Sequence, residues 1–109
     1  MDDEVLDALD DLVVALKLSV EDTRAMLRRA ETLRRARRRG AGYRDVVTAQ
    51  QRPLIVEMLR DSQDRVVKAG ARFRRAEAKA LRAEGLTLDE IARLFGVTRQ
   101  RVIALLRGA

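Results

Sequence analysis

Apolar residues recur at helical spacing along nearly the whole chain. No segment alternates apolar and polar residues as a half-buried strand would. Val5, Leu9, Leu12 and Leu16 fall at intervals of four, three and four, with Leu6 and Val13 widening the stripe, and predict a first helix from about Asp3 to Leu16. Ser19 then offers an N-cap, with Asp22 three residues on as a weak capping box, so a second helix is expected from Val20 to about Arg39. Its stripe is Met26, Leu27, Ala30 and Leu33. It ends in Arg34-Arg35-Ala36-Arg37-Arg38-Arg39 before Gly40. Bases in a last turn followed by glycine are a helix C-terminal signature; the same run would also serve as a phosphate-contacting arm, and both can hold. Gly40-Ala41-Gly42 reads as a joint, and Tyr43 to Ala49 as a short helix with Tyr43, Val46 and Val47 inward.

Pro53 fits the first turn of a long helix running to about Glu84. Along it Ile55, Leu59, Ser62, Val66, Ala69, Phe73, Ala76 and Ala80 alternate intervals of four and three, a heptad seam. Gly70 lies inside the seam, which keeps its phase across it, so the expected helix is continuous or slightly bent, with a break at Gly70 as the alternative. So long a seam suggests dimerisation through Ile55, Leu59, Val66 and Phe73; packing within the monomer is the plainer alternative.

The last quarter of the chain carries the richest pattern. Gly85 closes the long helix, and Thr87-Leu88-Asp89-Glu90 has the spacing of a capping box. Leu88, Ile91, Ala92 and Phe95 make one short apolar face; Gly96 supplies a tight turn; Val97 plugs the angle; Thr98 caps a last helix whose Val102, Leu105 and Leu106 return to the core. A supporting helix, a glycine turn and a second helix are the grammar of a helix-turn-helix. The third helix of such a head must come from Arg72 to Glu84. Early on the last helix, Arg99 and Arg101 are candidates for guanine or phosphate, Gln100 for adenine, and Ala104 for a thymine methyl. Thr98, Arg93 and Arg107 are candidates for phosphate contacts, which orient without specifying sequence, and Thr87 is a further DNA-contacting candidate.

Residues 85–107 resemble the helix-turn-helix of bacterial sigma factors that reads the upstream promoter element. Gly96-Val97-Thr98-Arg99-Gln100-Arg101-Val102 is similar to the Gly-Val-Thr-Arg-Glu-Arg-Ile/Val run there. Similar segments occur in small actinobacterial regulators, and the resemblance implies a small bacterial regulator of that type. It covers about a fifth of the chain. Gln100 replaces the glutamate, and Ile103-Ala104-Leu105-Leu106 replaces a more polar continuation. Nothing resembles the sigma regions that bind core polymerase or melt promoters, so the implied identity is a borrowed DNA-reading module. With the sequence ending at Ala109, the expected head has no wing.

Composition narrows the chemistry. With only three aromatic residues in 109, the core must be aliphatic and alanine-rich, which favours packed helices. Cysteine and histidine are absent, removing disulfides, thiol chemistry, the usual zinc ligands and the commonest general base. Paired carboxylates at Asp2-Asp3-Glu4 and Asp10-Asp11 suit an acid-rich helix start, so no enzyme activity and no cofactor or metal are expected. No apolar stretch approaches the roughly 20 residues of a membrane span, and no signal peptide is evident; the expected location is cytoplasmic, at the nucleoid. Residues 1–22 carry −7 and residues 23–109 carry +13, within a net charge of +6. A basic body favours a polyanionic partner. Its bases are 20 arginines and three lysines, a choice suited to bidentate contacts.

The expected protein is thus all-α: a helical bundle with a long central helix and a C-terminal helix-turn-helix, dimeric. Residues 1–52 form an N-terminal region of an acidic then an arginine-rich helix, 53–84 the dimerising helix, and 72–109 the DNA-binding head. The expected function is sequence-specific transcriptional regulation on double-stranded DNA, with residues 98–107 in the major groove. The alternatives are a low-specificity architectural DNA-binding protein and an adaptor that binds the transcription machinery. The acidic first helix would fold over the basic surface and compete with DNA, or complete the dimer core.

Overall fold

The computed structural model describes residues 3–108, so Asp2 of the first acidic pair lies outside the described residues. Five helices follow one another: α1 (Glu4–Arg38), α2 (Tyr43–Thr48), α3 (Ile55–Ala83), α4 (Leu88–Phe95) and α5 (Arg99–Leu106). Among the described residues there is no strand, and the protein is all-α as its periodicity predicts.

The first two expected helices are one. Asp3 caps α1, its Oδ1 accepting from the Leu6 amide at 3.0 Å, and the helix then runs 35 residues through Ser19. No glycine or proline interrupts that stretch. A serine N-cap requires a non-helical backbone; Ser19 instead stays helical, and its carbonyl accepts from the Thr23 hydroxyl at 2.7 Å. The inward face is also set differently from the expected stripe. Ala8 and Ala15 are buried, whereas Leu9 and Leu16 remain 37% and 46% exposed. The buried and half-buried positions Val5, Ala8, Leu12, Ala15, Ser19, Asp22, Met26 and Arg29 keep a strict three–four alternation, a heptad seam whose small members permit close helix approach.

α3 begins at Ile55 rather than at Pro53, which precedes it across a cis bond from Arg52. Its start is capped from two sides: the Leu54 amide donates to Glu57 Oε1 at 3.1 Å and the Ile55 amide to Gln50 Oε1 at 3.2 Å. The helix passes unbroken through Gly70. Along the expected seam Ser62 and Ala76 are buried, Ile55, Val66, Ala69, Phe73 and Ala80 are half-buried, and Leu59 stays exposed. Most of the seam is therefore covered within this chain.

The chain divides into two compact units. In the unit of residues 14–66, the parts of α1 and α3 that it contains run antiparallel. Asp22 pairs with Arg65 at 2.6 Å, the Ser62 hydroxyl meets that of Ser19 at 3.5 Å, and Arg29 Nη1 donates to the carbonyls of Gln51 and Pro53 at 2.9 and 2.8 Å. α2 lies in this unit and buries only Val46; Tyr43 and Val47 are exposed, contrary to expectation, because so short a helix has a single inward position. Tyr43 instead lies under the Arg37 guanidinium, 4.1 Å from ring centroid to cation.

The unit of residues 1–13 and 67–109 holds the main apolar core. Ala78 of α3, Ile91 and Ala92 of α4, and Val102 and Leu105 of α5 form its centre, with Leu81, Leu86, Leu88, Phe95, Val97 and Leu106 packed around it. Ile91, Val102 and Leu105 are wholly buried. The third helix of the C-terminal head does come from α3, as expected, through Ala78 and Leu81.

Candidate nucleic-acid interface

Every turn of the C-terminal head is fixed by local hydrogen bonds. α3 is closed at Gly85, just beyond its last residue, where the Leu86 amide donates to the Leu81 carbonyl (3.1 Å) and the Gly85 amide to that of Arg82 (3.0 Å). Thr87 opens α4 with a complete capping box. Its hydroxyl accepts from the Glu90 amide and its own amide donates to Glu90 Oε1, both at 3.1 Å. The Thr87 amide above all, then the Thr87 hydroxyl and nearby Arg93, hold the Glu90 carboxyl below the usual glutamate value.

α4 closes on Gly96, whose φ of 66° and ψ of 35° place it in the left-handed region. The Val97 amide reaches the Ala92 carbonyl at 3.0 Å and the Gly96 amide reaches that of Arg93 at 3.3 Å. This is a Schellman closure, with Val97 and Ala92 supplying its usual apolar contact. Thr98 follows in extended conformation and caps α5, its hydroxyl accepting from the Arg101 amide at 3.1 Å. From Thr87 to Leu106 the order is therefore helix, glycine turn, helix, the order read from the sequence.

The core leaves one side of α5 free. At 100° per residue, Val102, Leu105 and Leu106 face inward, and Gln100, Ala104 and Arg107 fall on the opposite side. Arg99 and Arg101 occupy its two edges. Thr98, Arg99, Gln100, Arg101 and Arg107 are exposed and Ala104 is half-exposed. α5 contains no acid. Thr87 and Arg93 are exposed as well, but they belong to α4 and its cap rather than to this face. The eight expected DNA-contacting residues thus split into six around α5 and two at α4.

Two features of this unit escaped the sequence reading. Ala78, Leu81 and Leu86 brace the head, and the Gly85 closure, which brings Leu86 back toward Leu81, is the signal that would have found the last two. Arg72, Arg75, Lys79 and Arg82 also form a basic stripe along α3, at intervals of three, four and three. Asp11 pairs with Arg72, and Glu4 joins Arg72, Arg75 and Lys79 around a shallow cleft. In this unit the acids of α1 therefore meet the bases of α3. Ala8, wholly buried, makes this part of α1 a structural member.

The arginine run at the end of α1 has a local role too. The Ala41 amide donates to the Ala36 carbonyl (3.2 Å), Gly40 has a φ of 98°, and Arg37 Nη1 donates to the Ala41 carbonyl at 3.0 Å. Arg34, Arg35, Arg38 and Arg39 stay exposed. Beside them, a cleft of about 500 Å³ lies between α1 and α2, lined by Leu33, Ala36, Val46 and Gln50 among others. Two of its polar groups are already committed, Arg29 to two backbone carbonyls and Gln50 to the Ile55 amide.

Among the described residues no group of acids is arranged to hold a metal ion, and no helix is long and apolar enough to cross a membrane. No protein-family model, curated protein or solved structure matches the chain.

Proposed function

We propose that this protein is a homodimeric, sequence-specific DNA-binding regulator of transcription, with α5 as the helix that enters the major groove. One observation carries the reading. An acid-free face of exposed arginine and glutamine stands on a short helix whose start is capped by Thr98 and whose supporting helix is capped at both ends. Base readout demands such rigidity, because bidentate contacts discriminate only when the side chain arrives in register. Gln100, at the centre of the face, matches an adenine edge. Arg99 and Arg101, on opposite edges, suit a guanine and a flanking phosphate. Arg107 and Arg93 suit phosphates, and the resemblance to the promoter-reading element of sigma factors points the same way.

Selection of binding sites from random duplexes at near-physiological salt tests this directly. An enriched motif of two related half-sites is the expected result. Arg99→Ala or Arg101→Ala should then cost about 1–3 kcal/mol on the selected duplex and much less on a scrambled one. Equal weakening on every duplex would remove the sequence-specific reading.

A second reading, a low-specificity architectural protein, is favoured by the +13 carried by residues 23–109 and by the exposed arginines closing α1. It predicts steep salt dependence with little preference among duplexes.

A further inference from the structure

In the unit of residues 14–66, α1 and α3 form an antiparallel pair whose seam includes Ser19, Asp22, Ser62 and Arg65. Beside that seam, one residue further along each helix, runs a second apolar line. On α1 it holds Leu16, Val20 and Leu27, exposed by 46%, 50% and 65%; on α3 it holds Val56 and Leu59, exposed by 66% and 47%. Two antiparallel helices are related by a two-fold axis perpendicular to the plane they share. Positions equivalent relative to the seam therefore emerge on the same side of the pair. The two lines consequently make one face, two helices wide.

The polar residues within this face, Thr23 and Gln63, are uncharged. The opposite flank also exposes Val14 and Leu18, but there Glu21, Arg28, Glu57, Asp61 and Asp64 interrupt the apolar surface. In a chain with 37% charged residues, an exposed face free of charge is a selective omission. Contiguous apolar surface of this kind marks an interaction site.

We infer that this face is the surface on which a second copy of the chain packs, two helices against two, around a two-fold axis. A two-fold interface sets one patch against itself, so a charge near the axis would meet its own sign. A face without charge meets that requirement, and in a protein of net charge +6 it is where two copies approach with least repulsion. It offers nothing to a nucleic acid, which needs bases, nor to an acidic partner. Four helices closing over a shared apolar layer form a standard bundle. The inference deepens the dimeric part of the proposed function and moves the contact: of the four expected dimer residues, Leu59 belongs to this face, Val66 borders it, and Ile55 and Phe73 do not contribute.

Sedimentation of the full chain without DNA tests the assignment, so its outcome is independent of whether α5 reads bases. The wild type should sediment as a dimer at micromolar concentration. Leu27→Glu combined with Leu59→Glu should be monomeric, with unchanged helical circular dichroism, its dissociation constant raised on the order of a hundredfold, the weight of central interface residues. Arg28→Glu, on the opposite flank, should stay dimeric. Should the double variant lose helicity, Leu27→Arg alone, at the most exposed α1 position of the face, gives the same reading. A monomeric wild type, or a folded double variant that remains dimeric, would each overturn the inference.

Discussion

Gly96 and Gly70 respond to alanine in opposite directions, because backbone conformation alone separates them. A Cβ built at either position meets nothing within 4 Å, so neither substitution is decided by crowding. Gly96 sits at a φ of 66°, where an L side chain costs about 1–2 kcal/mol. Gly96→Ala should destabilise the protein by that amount. Gly70 lies inside α3 in ordinary helical backbone, where glycine is about 1 kcal/mol less favourable than alanine. Gly70→Ala should stabilise by about that much. Thermal or denaturant unfolding of the two variants checks both signs. Thr98 completes the turn after Gly96, and Thr98→Ala, which strands the Arg101 amide, should cost about 1 kcal/mol.

At the scale of elements, α3 and α4 share an acid-sensitive start. Glu57 accepts chiefly from the Leu54 amide, with Arg52 close by, and Glu90 from the Thr87 amide and hydroxyl; both carboxyls are held below the ordinary glutamate value. A carboxyl lowered on folding stabilises the fold above its unfolded value, and the contribution is lost as pH falls through the folded value. Stability should therefore decline as pH drops below the ordinary glutamate range, and Glu57→Gln with Glu90→Gln should flatten that decline in unfolding measured against pH. Such caps are local, which is why the C-terminal head was legible in the sequence: Thr87, Glu90, Gly96 and Thr98 act on neighbours within five residues. The α1 seam was not legible. Ser19 can cap a helix or continue one, and its neighbours do not decide between them. Asp22 meets Arg65 only once α3 has folded back. Likewise Leu9 and Leu16 outweigh Ala8 and Ala15 in apolarity, yet the alanines face inward, because close helix approach selects for small side chains rather than apolar ones. Which of two adjacent stripes is buried depends on the partner helix, and that information lies some 40–60 residues away.

For the whole molecule, the distribution of charge separates the two DNA-binding readings, because phosphate contacts and base contacts respond differently to salt. Each phosphate neutralised by lysine or arginine steepens the salt dependence of binding by about 0.9 in the logarithmic slope. A base contact adds discrimination instead. If α5 reads sequence, Gln100→Ala should erase preference at one base pair at a cost of about 1–3 kcal/mol and leave the slope nearly unchanged. Arg107→Ala, at the far end of the same face, should weaken all duplexes alike and reduce the slope by about one. The exposed arginines closing α1 lie in the other unit. Replacing Arg34, Arg35, Arg38 and Arg39 by glutamine tests whether they touch DNA at all, while Arg37, which holds the Ala41 carbonyl, stays in place. In the sequence-specific reading the quadruple variant keeps its preference between selected and scrambled duplexes, whatever happens to its slope. In the architectural reading it loses most of its affinity, and Gln100→Ala changes nothing. Fluorescence anisotropy of both variants on both duplexes across a salt series distinguishes these outcomes, because slope and preference are read from the same curves.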